Sequence, residues 1–312
     1  MNVQTCSGHP WEMGLDFCYK CNATLVDGRR VMRARVRAEG RLLNDPRRTF
    51  EALLNRTIRQ KPVSPSASHI ERRADLVCFV TNLAQFLRFG AVTVHSSILF
   101  MDTVLSAFTA NEKQERLIAF VCVTMAAKLN ERCDPPSLEE AEAFFEREFS
   151  REHFRHCEEL VAQTIGFGLN VVTSLHFVEF FLSVGAVSEE AVPRGQLVQP
   201  IATEFEQLCL KLVDLTLPIF QLHKFSALEV ALSVIEIAKE KARLVEERPG
   251  PLELLTKVSK QDLAQCIEVL NSSLDLSLLQ ESFTDFPDAI DDALTKEERL
   301  TSRSSLYTQT GF

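Results

Sequence analysis

An all-α fold, built as two consecutive helical bundles, is what this 312-residue chain predicts, and three observations predict it. The run Leu117–Leu129 (LIAFVCVTMAAKL) is almost wholly apolar and carries one charge, Lys128, beside its end. It is too short to span a bilayer and longer than most strands, so it reads as a central helix covered by other helices on every side. A second mostly apolar run, Ser226–Ala238 (SALEVALSVIEIA), recurs later in the chain. Around both runs, apolar residues return at intervals of three and four, separated by proline and glycine breaks.

A helix over 46–60 is predicted by Phe50, Leu53, Leu54 and Ile58 at helical spacing, with Pro46 where a first turn accepts it. Pro62 and Pro65 break the chain. Ile70–Phe89 places Leu76, Phe79, Val80, Leu83, Phe86 and Leu87 on one face, and Thr93–Phe108 aligns Val94, Ile98, Met101, Leu105 and Phe108. The central rod runs over 113–130 until Asp134-Pro135-Pro136 stops it. Ser137 and Glu140 have the capping-box spacing for a short helix to Phe145. From Ser150, Phe154, Cys157, Val161 and Ile165 share a face that Gly166 and Gly168 terminate. The pattern recurs over 175–184, 196–217, 225–242, 251–258 and 261–274.

The domain reading is a Cys/His-bearing and Arg-rich segment at 1–44, a helix plus first bundle at 45–169, a second bundle at 170–280, and an acidic, Ser/Thr-rich tail at 281–312. The tail's composition buries too little apolar surface to fold alone. The net charge of -9 gives no global reason to expect nucleic acid. Locally, eight arginines between Gly28 and Arg48 face only Glu39 and Asp45. A solvated linker and a nuclear import signal are the favoured readings of that stretch, because no aromatics interleave with the arginines for base stacking. No signal peptide or membrane span is expected. Nine cysteines, an odd count without an export signal, point to a reducing compartment, cytoplasm or nucleus. Cys78, Cys122, Cys157, Cys209 and Cys266 fall inside apolar helical patterns and read as buried small hydrophobes.

Two successive five-helix units with buried central helices resemble the cyclin family. The residues that carry the resemblance are Arg73 in the first box helix, Asp102 in FMDTVL, Lys128 in AAKLNE and Glu158 in HCEELVAQTIGFGL. SLHFVEFFLSVGAV, KFSALEVALSVIEIAKE and DLAQCIEVL are similar to segments of the cyclin J group. Both Arg73 and Asp102 sit in apolar surroundings, where charges are rarely buried unpaired, so they read as a structural ion pair. The resemblance implies that Lys128 and Glu158 bond a cyclin-dependent kinase, with Leu129, Ala162, Phe167 and Leu169 as apolar contacts. It also implies that Phe50, Leu53 and Leu54 form the kinase-facing side of the preceding helix. On composition alone, Lys128 and Glu158 read as solvated surface groups.

The chain departs from the family where members carry an apolar docking patch. Here the positions read Arg72, Asp75, Leu76 and Phe79, opposite Glu115 and Arg116, so Arg-x-Leu docking peptides are not expected partners. At the N-terminus, Cys6-x2-His9-x8-Cys18-x2-Cys21 supplies four zinc-type ligands in two pairs. The loop between the pairs is short for a ribbon, so a structural zinc site and a chance spacing both stay open. Outside that segment no cofactor is expected.

An enzyme is not indicated. There is no glycine-rich phosphate loop and no nucleophile elbow, and His153 and His156 lack i,i+4 metal spacing. The leading expectation is therefore a regulatory subunit that activates a cyclin-dependent kinase. The alternative is a transcription-factor-IIB-like adaptor, a family that also places a zinc ribbon before two cyclin-like repeats.

Overall fold

In the computed structural model the described residues are 46–58, 60, 63, 67–188, 191, 198–244 and 250–274, preceded by the backbone of short strands within 5–32. The chain forms two compact units, Met1–Leu270 and Asn271–Phe312; of the second, the described residues are 271–274.

The fold is helical. After α1 (Pro46–Thr57) come α2 (Ala67–Phe86), α3 (Ala91–Ala107), α4 (Glu112–Asn130), α5 (Leu138–Phe144) and α6 (Arg151–Thr164). Capping chemistry sets several starts. Asn111 and Gln114 form a reciprocal box at α4, and Ser137 with Glu140 does the same at α5. Along α4, Leu117–Val123 and Met125–Ala127 are buried, so this helix is the rod around which α2, α3 and α6 pack. Phe120, Phe144, Phe145, Phe149 and Phe154 form a chain of ring contacts between α4, α5 and α6.

A second group follows: α7 (Ser174–Val184), α8 (Val198–Leu215), α9 (Ala227–Lys241), α10 (Pro251–Thr256) and α11 (Ala264–Ser273). α9 is buried along Val230–Val234 and Ile237–Lys239, and it packs against α7 and α8. Ser226 and Glu229 cap it reciprocally. The 3-10 segment Phe220–Lys224 joins α8 to α9, so Phe225, expected at the start of a helix, lies outside one.

Short strands also appear, which helical periodicity did not anticipate. β1 (Thr5–Cys6) pairs with β2 (His9–Pro10). β3 (Phe17–Cys18), β4 (Ala23–Val26), β5 (Arg29–Met32) and β6 (Val187–Ser188) form an antiparallel ladder in that order, with Val31 opposite Ser188. Two- and four-residue strands carry too little pattern to be read from alternation.

Three expected apolar positions are corrected. Cys78 is exposed, unlike the buried Cys122, Cys157, Cys209 and Cys266, because it falls on the solvent side of α2. Phe86 and Phe108 are also exposed, since each lies at or past the last turn of its helix, beyond the reach of the core.

Candidate functional site

Lys128 sits in the last turn of α4, where a cation complements the helix dipole. Glu158 lies on α6 beside the buried stripe Phe154, Cys157 and Val161, which faces the core. That stripe brings α6 against α4, and the Lys128 ammonium and Glu158 carboxylate form an ion pair across the two helices. Their side chains are 49% and 38% exposed. A pair this open is worth about 0–1 kcal/mol, so either group can exchange its partner at small cost. The last turn of α4 is held by Glu131, whose carboxylate accepts from the Gly90 N–H (2.7 Å) and the Thr93 hydroxyl at the start of α3.

Apolar side chains lie around the pair. Leu129 is exposed and follows Lys128 directly. α6 ends in two left-handed residues, Gly166 (φ 68°) and Phe167 (φ 56°). The Phe167 N–H closes the helix by donating to the Ala162 carbonyl at 2.8 Å, and its ring is 71% exposed. A non-glycine residue in this conformation stores roughly 1–3 kcal/mol and persists only where its surroundings fix it. Ala162 and Leu169 are half-buried against the core of the first group.

α1 presents its apolar residues differently from the expectation. Phe50 is buried, its ring 6.1–6.3 Å from those of Phe177, Phe180 and Phe181 on α7. It is spent inside the chain, because the aromatic face of α7 offers it a complete apolar pocket. Leu53 and Leu54 are half-buried, and Ile58, directly after α1, is 78% exposed. A cavity of about 230 Å³ opens between Arg56, Gln60, Phe100, Thr103, Gly168 and Asn170. Gln60 donates to the Val172 carbonyl at 3.0 Å, which ties the end of α1 to the α6–α7 connection.

Arg73 and Asp102 meet in the interior. Arg73 Nε and Nη2 donate to the two Asp102 oxygens, each at 2.9 Å. Two histidines that sequence reasoning passed over complete the shell. His69 Nε2 donates to Oδ1 at 3.0 Å and His223 Nε2 to Oδ2 at 3.1 Å. Burial alone would raise the Asp102 pKa, but the bonds from His223 and His69 and the Arg73 guanidinium hold it well below the usual carboxylate range.

The region of the family's docking patch is polar. Arg72 Nε and Nη2 each donate to the buried Glu115 carboxylate at 2.6 Å. Beside this pair, the Arg116 guanidinium lies 5.1 Å above the Phe79 ring. Together with Asp75 and Glu112 these groups line a cleft of about 400 Å³.

Of the N-terminal Cys/His set, Cys21 lies outside the described residues. The backbone register places Cys6 opposite His9 and Cys18 opposite Ala23. Among the described residues no three His, Cys, Asp or Glu side chains converge as metal ligands. Nor is any described helix long and apolar enough to cross a membrane.

Comparison with known proteins bears on this arrangement. Residues 49–170 match the family model of the cyclin N-terminal domain. Human Cyclin-J is 26% identical over 217 residues, 67% of this chain and 55% of its own length. Cyclin-A1-3 of Oryza sativa subsp. japonica is 26% identical over 216 residues, 68% of this chain and 40% of its own. Cyclin-D of Ostreococcus tauri is 29% identical over 127 residues and is covered to 34%. The chain thus spans about half or less of the length of these relatives. Among solved structures, the viral cyclin from herpesvirus saimiri superposes with a TM-score of 0.56 at 11% identity, covering 72% of this chain and 96% of that one. A chain of the Chaetomium thermophilum CAK complex bound to ATP-gamma-S gives 0.51 at 16% identity, covering 86% and 87%. At these identities the likeness is one of fold.

Proposed function

The chain belongs to the cyclin family, and from that premise we propose that it is a non-catalytic subunit that binds and activates a cyclin-dependent kinase. The observation that carries the reading is the Lys128–Glu158 pair, exposed on the matched domain and flanked by the exposed Leu129 and Phe167. A few charge-assisted bonds around an apolar centre are how an interface holds a partner segment in register. The kinase would exchange the weak internal ion pair for bonds to its own segment, while Phe167 and Leu129 enter apolar contact.

Activation would be a population shift. The subunit binds the kinase conformation whose regulatory helix is swung in, and it shifts the equilibrium by its differential affinity for that state. The two helical groups would act as two boxes, with Ile58, directly after α1, adding to the kinase contact. The Arg72–Glu115 pair lines with charge the cleft where apolar docking peptides would lie, so substrate choice would not run through Arg-x-Leu motifs.

The experiment is affinity capture of kinases by the full chain and by Lys128→Ala and Glu158→Ala, followed by affinity and phosphotransfer measurements. Each variant should keep its fold and lose roughly tenfold in affinity for every 1.4 kcal/mol removed. Normal binding and activation by both variants would refute the assignment.

A further inference from the structure

Three polar links join α2 and α3 to one short stretch of chain, the end of α8 and its connection to α9. Asp214, near the end of α8, accepts from His95 Nε2 on α3 at 2.9 Å. The Leu217 carbonyl accepts from Arg73 Nη1 at 2.7 Å. His223, in the 3-10 segment, donates to Asp102 at 3.1 Å. Between these links Leu217 packs on the core of the first helical group, and Ile219 and Leu222 are buried. The stretch holds its own shape through local bonds: Ile219 N–H to Thr216, Leu222 N–H to Ile219 and Phe225 N–H to Leu222. His69, Arg73 and Asp102 are closed to water, whereas the His223 ring is 21% exposed. That imidazole is the layer between the charged cluster and solvent.

We propose that residues 214–224 form a latch, which closes over the Arg73–Asp102 pair and fastens the two helical groups into one body. It would open as a unit. Opening takes one of four hydrogen bonds from Asp102, removes an acceptor from a buried guanidinium and lets water reach a carboxylate that burial otherwise isolates. Losing bonds to charged groups is costly, yet the local turn bonds survive, so the opening lies between fraying and global unfolding. Closed, the latch presents the surfaces of both groups in one fixed geometry, and a partner touching both pays less ordering entropy. None of this rests on the Lys128–Glu158 reading.

Hydrogen exchange read by mass spectrometry on the full chain tests it, with wild type, His223→Ala and His223→Gln. The alanine variant should exchange faster on the order of tenfold in peptides covering 216–225. Peptides from Val230–Ala238 in α9 should not change. The glutamine variant, whose amide nitrogen can still donate toward Asp102, should recover most of the protection. Should His223→Ala not fold, Asp214→Asn weakens the exposed link to His95 and should give the same local pattern. Unchanged exchange over 216–225, or acceleration spread evenly over all helices, overturns the latch.

Discussion

Replacing Arg73 by alanine removes the only guanidinium that faces Asp102 among the described residues and leaves the carboxylate with His69 and His223. Asp102 is almost wholly buried, so water cannot substitute for the lost donors. Breaking a buried pair from one side costs about 3–5 kcal/mol. For a folded region of this size each kcal/mol shifts the melting temperature by about 2–4 °C, so a drop on the order of 10 °C is expected. Asp102→Asn should cost a similar amount, because Arg73 is then left facing a neutral amide. The double variant should fall short of the sum by about 1–3 kcal/mol, as groups in one network do. pH separates this pair from ordinary packing. The folded Asp102 carboxyl is depressed, so the stability it adds is whole above its unfolded value, about 3.9, and is lost as pH falls through the folded value. In that acid window wild type should lose about 1.4 kcal/mol per pH unit on account of this group, a slope that Asp102→Asn lacks. The gap between the two proteins should therefore narrow as the pH falls below 4. Thermal unfolding followed by circular dichroism from pH 7 to pH 2.5 measures both quantities. Strict additivity, or a constant gap between wild type and Asp102→Asn across the acid range, would show that the pair is not coupled.

The Arg72–Glu115 pair should respond asymmetrically: Arg72→Ala strands a buried carboxylate, while Glu115→Ala frees a guanidinium that solvent can reach, so the first should lower the melting temperature more. Equal shifts would contradict that burial argument. Phe50→Ala should cost about 3–5 kcal/mol, because the ring fills an aromatic pocket on α7. Ile58→Asp, on an exposed position, should change stability by less than about 0.5 kcal/mol yet weaken kinase capture. If Ile58→Asp binds as wild type does, Ile58 contributes nothing to the kinase contact. For the N-terminal segment, if Cys6, His9, Cys18 and Cys21 converge on a metal, full chain purified under reducing, chelator-free conditions carries zinc that Cys6→Ser or Cys18→Ser releases. Metal-free protein would end the zinc reading.

What the sequence made legible follows one physical line. Elements whose evidence is local were readable. The central helix declares itself by an apolar run that only a covered helix can carry, and the α5 start by Ser137 and Glu140 three residues apart. Asp102 stood out as a charge inside the apolar stretch FMDTVL, whereas Arg73 lies in the charged run Glu71–Asp75 and was marked by the cyclin resemblance. The histidines on Asp102 left no such mark. His69 lies in the first turn of α2 and His223 in the short connection Phe220–Lys224, and both are ordinary there until the fold brings them within 3.1 Å of one carboxylate. Phe50 shows the same limit from the other side. Its helical spacing marks an apolar face but not whether that face meets another part of the chain or a second molecule. Only the neighbouring Phe177, Phe180 and Phe181 decide that, and they lie on a helix far along the sequence. An apolar stripe is therefore evidence of burial somewhere. Assigning it to a partner requires that the chain's own helices leave it uncovered, as they leave Ile58, Leu129 and Phe167.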